Sequence, residues 1–277
     1  MIDYRINPKY KSLEKAILDI PSRFDLEGEV IENNRNVIKV LDVEGERFNV
    51  KSFKKPNIIN QFAYAYVRKG KAQRSFEYAN TLLERVNTPE PIACIVYRNV
   101  FGVTRSFYIS RQEEYDYTFR DLRVKRPADL EFILREFARF TYHFHTQSIY
   151  FIDHSPGNTL IRREGEQVHF MLVDFNRIKF MTISPLVGLK NFYRLNATDD
   201  MIDIIADGIC PVDTFGRDGN DPFVERVDSC PRRAGVQTES QEEELVYLLL
   251  TLPNFLILVY LRQRFNFRFL GTPWREI

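Results

Sequence analysis

Two polar loops in the second half of the chain constrain its fold more than any other feature. DHSPGN at 153–158 and DFNR at 174–177 each interrupt a β-rich piece, IYFIDHSPGNTLI and VHFMLVDFNRIKF. The apolar-faced stretch LEFILREFARFTYHFHT stands just before them and predicts a long buried helix. A helix followed by two strands that are broken by polar loops favours a mixed α+β domain with its chemistry in those loops.

The first half of the sequence is predicted to be rich in antiparallel strands. Between residues 27 and 53, three β-type runs, EGEVIE, VIKVLDV and RFNVKSF, are separated by NNRN and by a Glu-Gly turn, as in a meander. AQRSFEYANTLLERV repeats apolar residues at helical spacing, and IACIVY and VTRSFYI are two more strand-like runs. We therefore expect five strands and one helix before the polar connection SRQEEYDYTF.

Composition excludes several classes of protein. The 277 residues are 44% hydrophobic and 28% charged, as in ordinary globular chains. Thirty-nine basic and thirty-eight acidic residues argue against a dedicated nucleic-acid binder, so no nucleic-acid partner is expected. Cys94, Cys210 and Cys230 are odd in number and too far apart for a CxxC site, and the N-terminus lacks a signal-peptide pattern. These features favour a cytoplasmic location.

The spacing of the loop residues indicates phosphoryl transfer. Asp153 and Asn158 match the D-x-x-x-x-N spacing of a kinase catalytic loop, where the Asp receives the proton of the attacking hydroxyl and the Asn binds metal. Asp174 ends an apolar run 21 residues after Asp153, where kinases place the magnesium-binding Asp of DFG. The three residues together predict a site for ATP and Mg²⁺.

A lysine in the first half completes the set of candidate residues. Lys51 lies on the third strand of the predicted meander, as does the phosphate-binding lysine of VAIK in kinases. Its expected ion-pair partner is an acidic residue of the next helix, and Glu77 is preferred over Glu84. On a helical wheel Glu77 lies about 160° from the centre of the apolar stripe, a position that faces either the cleft or solvent.

Several of these segments together resemble one family. VKSFKKPNIINQFAYAYVRKGKAQRSFEYA, TPEPI, DHSPGNTL and DFNRIKF are similar to the lipopolysaccharide kinase (Kdo/WaaP) family, in particular its Bacteroidetes-type members, over residues 25–195. The resemblance implies a protein-kinase-like bilobal α+β fold. Its small antiparallel β-rich N-lobe would span residues 1–112, and its mainly helical C-lobe residues 113–277, with an atypical tail from residue 199.

The resemblance assigns the same roles as the spacing. It makes Asp153 the base, Asn158 and Asp174 the metal ligands, Lys51 the phosphate-binding lysine and Glu77 its partner, with ATP and Mg²⁺ as cofactors. The sequence departs from kinase patterns at three places: Phe151-Ile152 replaces His-Arg, Asn176 replaces the Gly of DFG, and the loop ENNRN has no GxGxxG.

The implied acceptor is a sugar hydroxyl of the lipopolysaccharide inner core, such as Kdo of Kdo-lipid A, a lipid-linked sugar. Independently, no APE motif follows DFNRIKF, so a peptide substrate is not expected. Two alternatives stay open: a soluble small-molecule phosphotransferase acting on an aminoglycoside, choline or free sugar, and a catalytically inactive kinase-like binding module.

Two further segments bear on membranes. Residues 51–76 hold seven Lys or Arg and no acid before Glu77, and basic residues are attracted to anionic lipid headgroups. This stretch predicts a peripheral position on the cytoplasmic face of the inner membrane, although an ordinary basic surface fits it equally well. The apolar run 245–261 has three possible interpretations: a buried or terminal helix, a membrane span, or a helix on a membrane or partner surface. From residue 199 onward the sequence predicts loops or disorder.

Overall fold

The computed structural model describes residues 1–34, 36–54, 69–100 and 102–209. Eleven strands occur in these ranges: β1 (Ile2–Ile6), β2 (Glu29–Asn33), β3 (Val37–Val43), β4 (Glu46–Ser52), β5 (Pro91–Asn99), β6 (Gly102–Arg111), β7 (Tyr117–Thr118), β8 (Ile149–Phe151), β9 (Thr159–Glu164), β10 (Gln167–Leu172) and β11 (Ile178–Phe180). Six α-helices accompany them: α1 (Glu14–Leu26), α2 (Lys71–Leu82), α3 (Phe119–Lys125), α4 (Leu130–Thr146), α5 (Pro185–Phe192) and α6 (Asp199–Ile209). Short 3₁₀ helices occupy Pro8–Leu13 and Tyr193–Leu195.

Residue contacts divide the chain into two compact units. The first comprises Met1–Pro127, His143–Ile183 and Asn191–Asn196. The described part of the second comprises Ala128–Tyr142, Ser184–Lys190 and residues 197–209. The predicted lobe boundary after residue 112 stays a prediction.

The first unit is built on a six-stranded antiparallel sheet in the order β1-β5-β6-β4-β3-β2. The predicted meander forms β2, β3 and β4, which pair in antiparallel order. Apolar residues of β3 and β4 are buried, whereas the edge strand β2 is exposed along its whole length. Ile17, Ile20 and Phe24 of α1 pack with Phe48 and Val50 in a hydrophobic core. Since side chains alternate across a strand, Lys51 points to the opposite face of β4.

The sequence prediction of five strands and one helix misses two elements of this unit. Strand β1 pairs with β5 at the edge of the sheet, and α1 covers the core described above. Pro21 stands inside α1 and is buried there. A proline ordinarily ends or kinks a helix, so it hides the periodicity of α1 in the sequence. Tertiary packing of the apolar face of α1 outweighs that preference.

Two small sheets follow in the same unit. Strand β8 pairs with β11, and β9 forms an antiparallel hairpin with β10 while β7 pairs with the other edge of β9. These are the β-rich pieces on either side of DHSPGN and DFNR. Both loops therefore begin at the ends of paired strands.

The second unit contains a helix where the sequence predicts loops. Asp199–Ile209 forms α6, whose first turn carries Asp199 and Asp200, acids that favour a helix N-terminus. Gly208 lies so close to α4 that an added Cβ would be 3.0 Å from the Ala138 Cβ. This close packing, which the glycine-rich sequence does not reveal, stabilises α6. Residues 210–277, including the run 245–261, lie outside the described residues.

Candidate active site

Strand pairing places the two predicted metal ligands side by side. In the β9–β10 hairpin Thr159 faces Leu172, so Asn158 and Val173 face each other just beyond the last strand pair. The Val173 N–H donates to the Asn158 carbonyl at 3.0 Å. Asp174 is the next residue, and it therefore lies at the same end of the hairpin as Asn158.

The β8–β11 pair brings Asp153 to the same end. Phe151 faces Ile178, and the Ile152 N–H donates to the Arg177 carbonyl at 3.0 Å, which joins the start of one polar loop to the end of the other. The loop of Asp153 is closed by the Asn158 Nδ2, which donates to the Asp153 carbonyl at 2.8 Å. The structure thus brings together the three residues that the spacing singled out.

Lys51 reaches this site from the six-stranded sheet. Its Nζ lies 2.9 Å from the Oδ2 of Asp174, 123 residues away in sequence. Lys51 is 8% exposed on the interior strand β4, and its ammonium also lies 5.6 Å from the centre of the Phe53 ring. Because the sheet holds this lysine rigidly, the ion pair links the sheet to the second polar loop.

The environment of Asp174 combines partial burial with strong hydrogen bonding. Burial raises the pKa of its carboxyl, but the Lys51 ammonium and the hydrogen bonds from Asn176 outweigh it, so that pKa is held below its ordinary value. The backbone of Asp174 has φ 65°, in the left-handed region that few residues other than glycine adopt. Unfavourable backbone angles of this kind concentrate at functional sites.

Asn176, which replaces the glycine of DFG, has a role that the motif does not predict. Its Nδ2 donates to Asp174 Oδ1 at 2.5 Å, and its Oδ1 accepts from the Ser75 hydroxyl of α2 at 3.4 Å. The residue therefore connects helix α2 to the carboxylate. A glycine could make neither contact. Asn176 therefore has less backbone freedom than the glycine of DFG but adds hydrogen bonds between α2 and Asp174.

The predicted ion pair between Lys51 and Glu77 is not what the structure shows. Glu77 pairs with Arg5 and Lys69, each at 2.7 Å, while Lys51 pairs with Asp174. Ser75 marks the side of α2 that faces the polar loop, and Glu77 is two residues further, about 200° around the helix. Glu77 therefore faces β1, a strand that the sequence pattern did not predict, and this strand supplies Arg5.

Arg194 is a residue of this site that no sequence pattern indicates. Its Nη1 donates to Asp153 Oδ1 at 3.0 Å, and the side chains are 49% and 35% exposed, respectively. Arg194 lies in the 3₁₀ helix that follows α5, 41 residues from Asp153. No motif or spacing connects the two residues, so only the folded chain identifies this contact.

His154, the residue after Asp153, has a structural role. His154 is fully buried among the rings of Phe144, Phe151 and Phe192. Burial and the nearby His145 lower the pKa of His154 to about 3, so its imidazole is neutral at physiological pH. Its ring packs beneath the loop next to Asp153 and is inaccessible to a substrate.

The oxygen atoms of Asn158 and Asp174 suit a magnesium ion, and the ammonium group of Lys51 suits the phosphates of a nucleotide. The Asn158 Nδ2 is used within the loop, which leaves its Oδ1 as the metal-binding atom, and the Asp174 oxygens keep lone pairs beyond those that accept from Lys51 and Asn176. Carboxylate and amide oxygens suit Mg²⁺, and an ammonium suits phosphate. Across the described ranges, no group of three or more His, Cys, Asp or Glu side chains is arranged to hold a metal.

Comparison of whole folds finds a match to a solved structure described as WaaP in complex with acyl carrier protein. The TM-score is 0.51 and the identity 13%, and the match covers 75% of this chain and 88% of that chain. It is one of 951 matching solved chains, so the fold is widespread and does not by itself define a substrate. The likeness confirms the predicted α+β, protein-kinase-like fold.

Sequence comparisons add no further assignment. No family model matches this sequence, and no curated protein matches it either. No helix in the described ranges combines the length and apolar character that a membrane crossing needs. Thus the comparisons establish a fold shared with WaaP, and on that fold Lys51, Asp153, Asn158 and Asp174 form one cluster.

Proposed function

We propose that this chain is an ATP-dependent kinase that phosphorylates a sugar hydroxyl of the lipopolysaccharide inner core, with Kdo of Kdo-lipid A as the acceptor. The observation that carries the kinase function is the Lys51–Asp174 ion pair at 2.9 Å, next to the loop that presents Asp153. The likeness to WaaP supports the fold, and the sequence resemblance supports the acceptor.

Each residue has a chemical role that its position supports. Lys51 would bind the ATP phosphates, because its ammonium is held by a rigid strand and points toward Asp174. Asn158 and Asp174 would hold magnesium, which offsets the charge of the phosphates when it is bound. Asp153 is part-exposed, so a hydroxyl can donate to its carboxylate and transfer its proton there as the phosphate is transferred.

Transfer from labelled ATP to Kdo-lipid A in the presence of magnesium tests this proposal. We expect label in the lipid fraction, and a decrease of about 10²- to 10⁴-fold in the Asp153→Ala variant, because a positioned base contributes a factor of that order. Labelling of an aminoglycoside, choline or free sugar, without labelling of lipid, would instead support the soluble phosphotransferase. If no acceptor is labelled, the kinase-like binding module replaces the proposal.

Peripheral attachment to the cytoplasmic face of the inner membrane is part of the same proposal. Lys51 is buried in its ion pair, so it cannot contribute to a lipid-binding surface, whereas the Lys69 side chain is 63% exposed. Residues 55–68 lie outside the described residues. Replacing Arg68, Lys69 and Lys71 by glutamate should reduce co-sedimentation with anionic vesicles.

A charge reversal of two residues on another helix provides the control. The Arg123→Glu and Lys125→Glu changes in α3 alter a basic surface outside the stretch 51–76. Equal sedimentation of wild type and the triple variant would refute the lipid-binding role of this stretch.

A further inference from the structure

Arg194 is a cationic residue in direct contact with Asp153, the proposed base. Its guanidinium uses one N–H group on Asp153, at 3.0 Å. Within the part of the chain that the structure describes, this is the one polar contact of its side chain, which is 49% exposed. Several N–H donors of a planar guanidinium therefore stay open to solvent beside Asp153.

The backbone that carries Arg194 is held firmly in place. Asn191 is 2% exposed, and its Nδ2 donates to the Phe151 carbonyl at 2.6 Å. Its Oδ1 accepts from the His145 Nε2–H at 2.9 Å. Leu195, next to Arg194, is fully buried. Since Phe151 ends the strand that leads to Asp153, these contacts fix Arg194 relative to the base.

Arg194 does not close off the carboxylate that it contacts. Asp153 stays 35% exposed, and the contact involves its Oδ1, so Oδ2 can accept from an acceptor hydroxyl. An acceptor bound at Oδ2 would lie next to the open N–H donors of Arg194. A guanidinium binds carboxylate and phosphate through paired, charge-assisted hydrogen bonds, which are stronger than those to neutral hydroxyls.

We propose that Arg194 recognises a negatively charged group of the acceptor, a carboxylate or a phosphate, and holds it beside the hydroxyl that Asp153 activates. This inference rests on the proposed kinase function and adds a specificity-determining residue to it. The positive charge also offsets the repulsion that an anionic acceptor would meet from Asp153 and Asp174. A neutral acceptor would gain no such advantage.

The test compares acceptors that differ only in charge. Kdo-lipid A would be assayed beside two derivatives, one with the Kdo carboxyl converted to its methyl ester and one with the lipid A phosphates removed. Transfer from ATP and binding in detergent micelles would both be measured for wild type, Arg194→Gln and Arg194→Lys. Arg105→Gln is the control, because Arg105 also forms an exposed pair at 3.0 Å, with Asp25, in which the two side chains are 42% and 59% exposed.

If Arg194 binds the anion, Arg194→Gln should lower kcat/KM and affinity for Kdo-lipid A by about 10- to 100-fold. The KM for ATP should not change, and Arg194→Lys should retain part of the affinity, since it keeps the charge but loses the paired donors. The derivative that lacks the recognised anion should bind wild type and Arg194→Gln equally. Which derivative behaves in this way identifies carboxylate or phosphate as the source.

Two results would overturn the inference: an equal loss in Arg194→Gln for all three acceptors, or no loss for any of them. Binding is measured without turnover, so a failure of the kinase proposal is distinguishable. In that event wild type would transfer no phosphate, while the binding comparison would still decide whether Arg194 recognises an anion.

Discussion

Replacing Lys51 by methionine tests the ion pair on which the proposed site depends. The change removes the ammonium group and keeps an unbranched side chain of similar length. Asp174 would then face a partly buried environment with Asn176 as its remaining side-chain donor among the described contacts. Since the pair joins the six-stranded sheet to the second polar loop, the variant should lose both stability and activity.

The expected magnitude follows from burial. Breaking a fully buried ion pair costs about 3–5 kcal/mol, and an exposed pair contributes about 0–1 kcal/mol. The Lys51 and Asp174 side chains are 11% and 28% exposed, so this pair lies between those limits. We expect a loss of about 2 kcal/mol, or about 4–8 °C in Tm for a chain of this size.

The loss should also depend on pH. The lowered pKa of Asp174 means that its carboxylate stabilises the fold above its ordinary pKa, and that this contribution is lost as the pH falls through the lowered value. Without Lys51 the burial that raises this pKa is less opposed, so the carboxyl is protonated at higher pH. The difference in unfolding free energy between wild type and variant should therefore be smaller at pH 5 than at pH 7.5.

Urea unfolding followed by circular dichroism gives these free energies. The double variant Lys51→Met, Asp174→Asn should be more stable than the sum of the single changes predicts, because it leaves no unpaired buried charge. Arg105→Gln, which breaks an exposed pair, should cost less than about 1 kcal/mol. Wild-type stability of Lys51→Met, or strict additivity in the double variant, would refute the reasoning.

Three other changes test separate features. Glu77→Gln should alter phosphate transfer less than about 3-fold and stability by less than about 1 kcal/mol, because it breaks only part-exposed pairs with Arg5 and Lys69; a loss as large as that of Lys51→Met would show that Glu77 engages Lys51 during catalysis. His154 has a pKa far below its unfolded value, so wild type should lose about 2 kcal/mol between pH 6.5 and 5, as the unfolded chain takes up a proton that the folded chain does not. His154→Leu should remove most of that pH dependence in urea unfolding, and an unchanged slope would contradict the assignment. Gly208→Ala should destabilise the protein by about 1–3 kcal/mol in thermal unfolding, because the new methyl group would lie 3.0 Å from the Ala138 Cβ and 3.1 Å from the Arg135 Cα; an unchanged Tm would show that α6 can shift away from α4.

Regular patterns made much of the fold predictable. The alternation in VIKVLDV corresponds to β3 over Val37–Val43, and the apolar stripe of LEFILREFARFTYHFHT to α4 over Leu130–Thr146. In both elements, one buried face imposes its period on the sequence. Helix α1 was not predictable in this way, because Pro21 interrupts its pattern and only packing against the sheet stabilises it.

The residues of the candidate site were likewise predictable where they depend on local sequence, whereas their contacts were not. The local sequence predicted that Asp153, Asn158 and Asp174 lie at the ends of strands. The position of such a residue depends only on the strand next to it in the sequence, which the local pattern reveals. Lys51 was predictable in the same way, from its position on the third strand of the meander.

The way in which these residues pair depends on the folded chain. Lys51 contacts Asp174 across 123 residues, Glu77 turns to Arg5 on a strand that the sequence did not indicate, and Arg194 reaches Asp153 across 41 residues. Such contacts depend on the register of the paired strands and on which face of a helix packs inward. Residue spacing reveals neither the strand register nor the packed face of a helix. The partners of the charged groups therefore become known only from the folded chain.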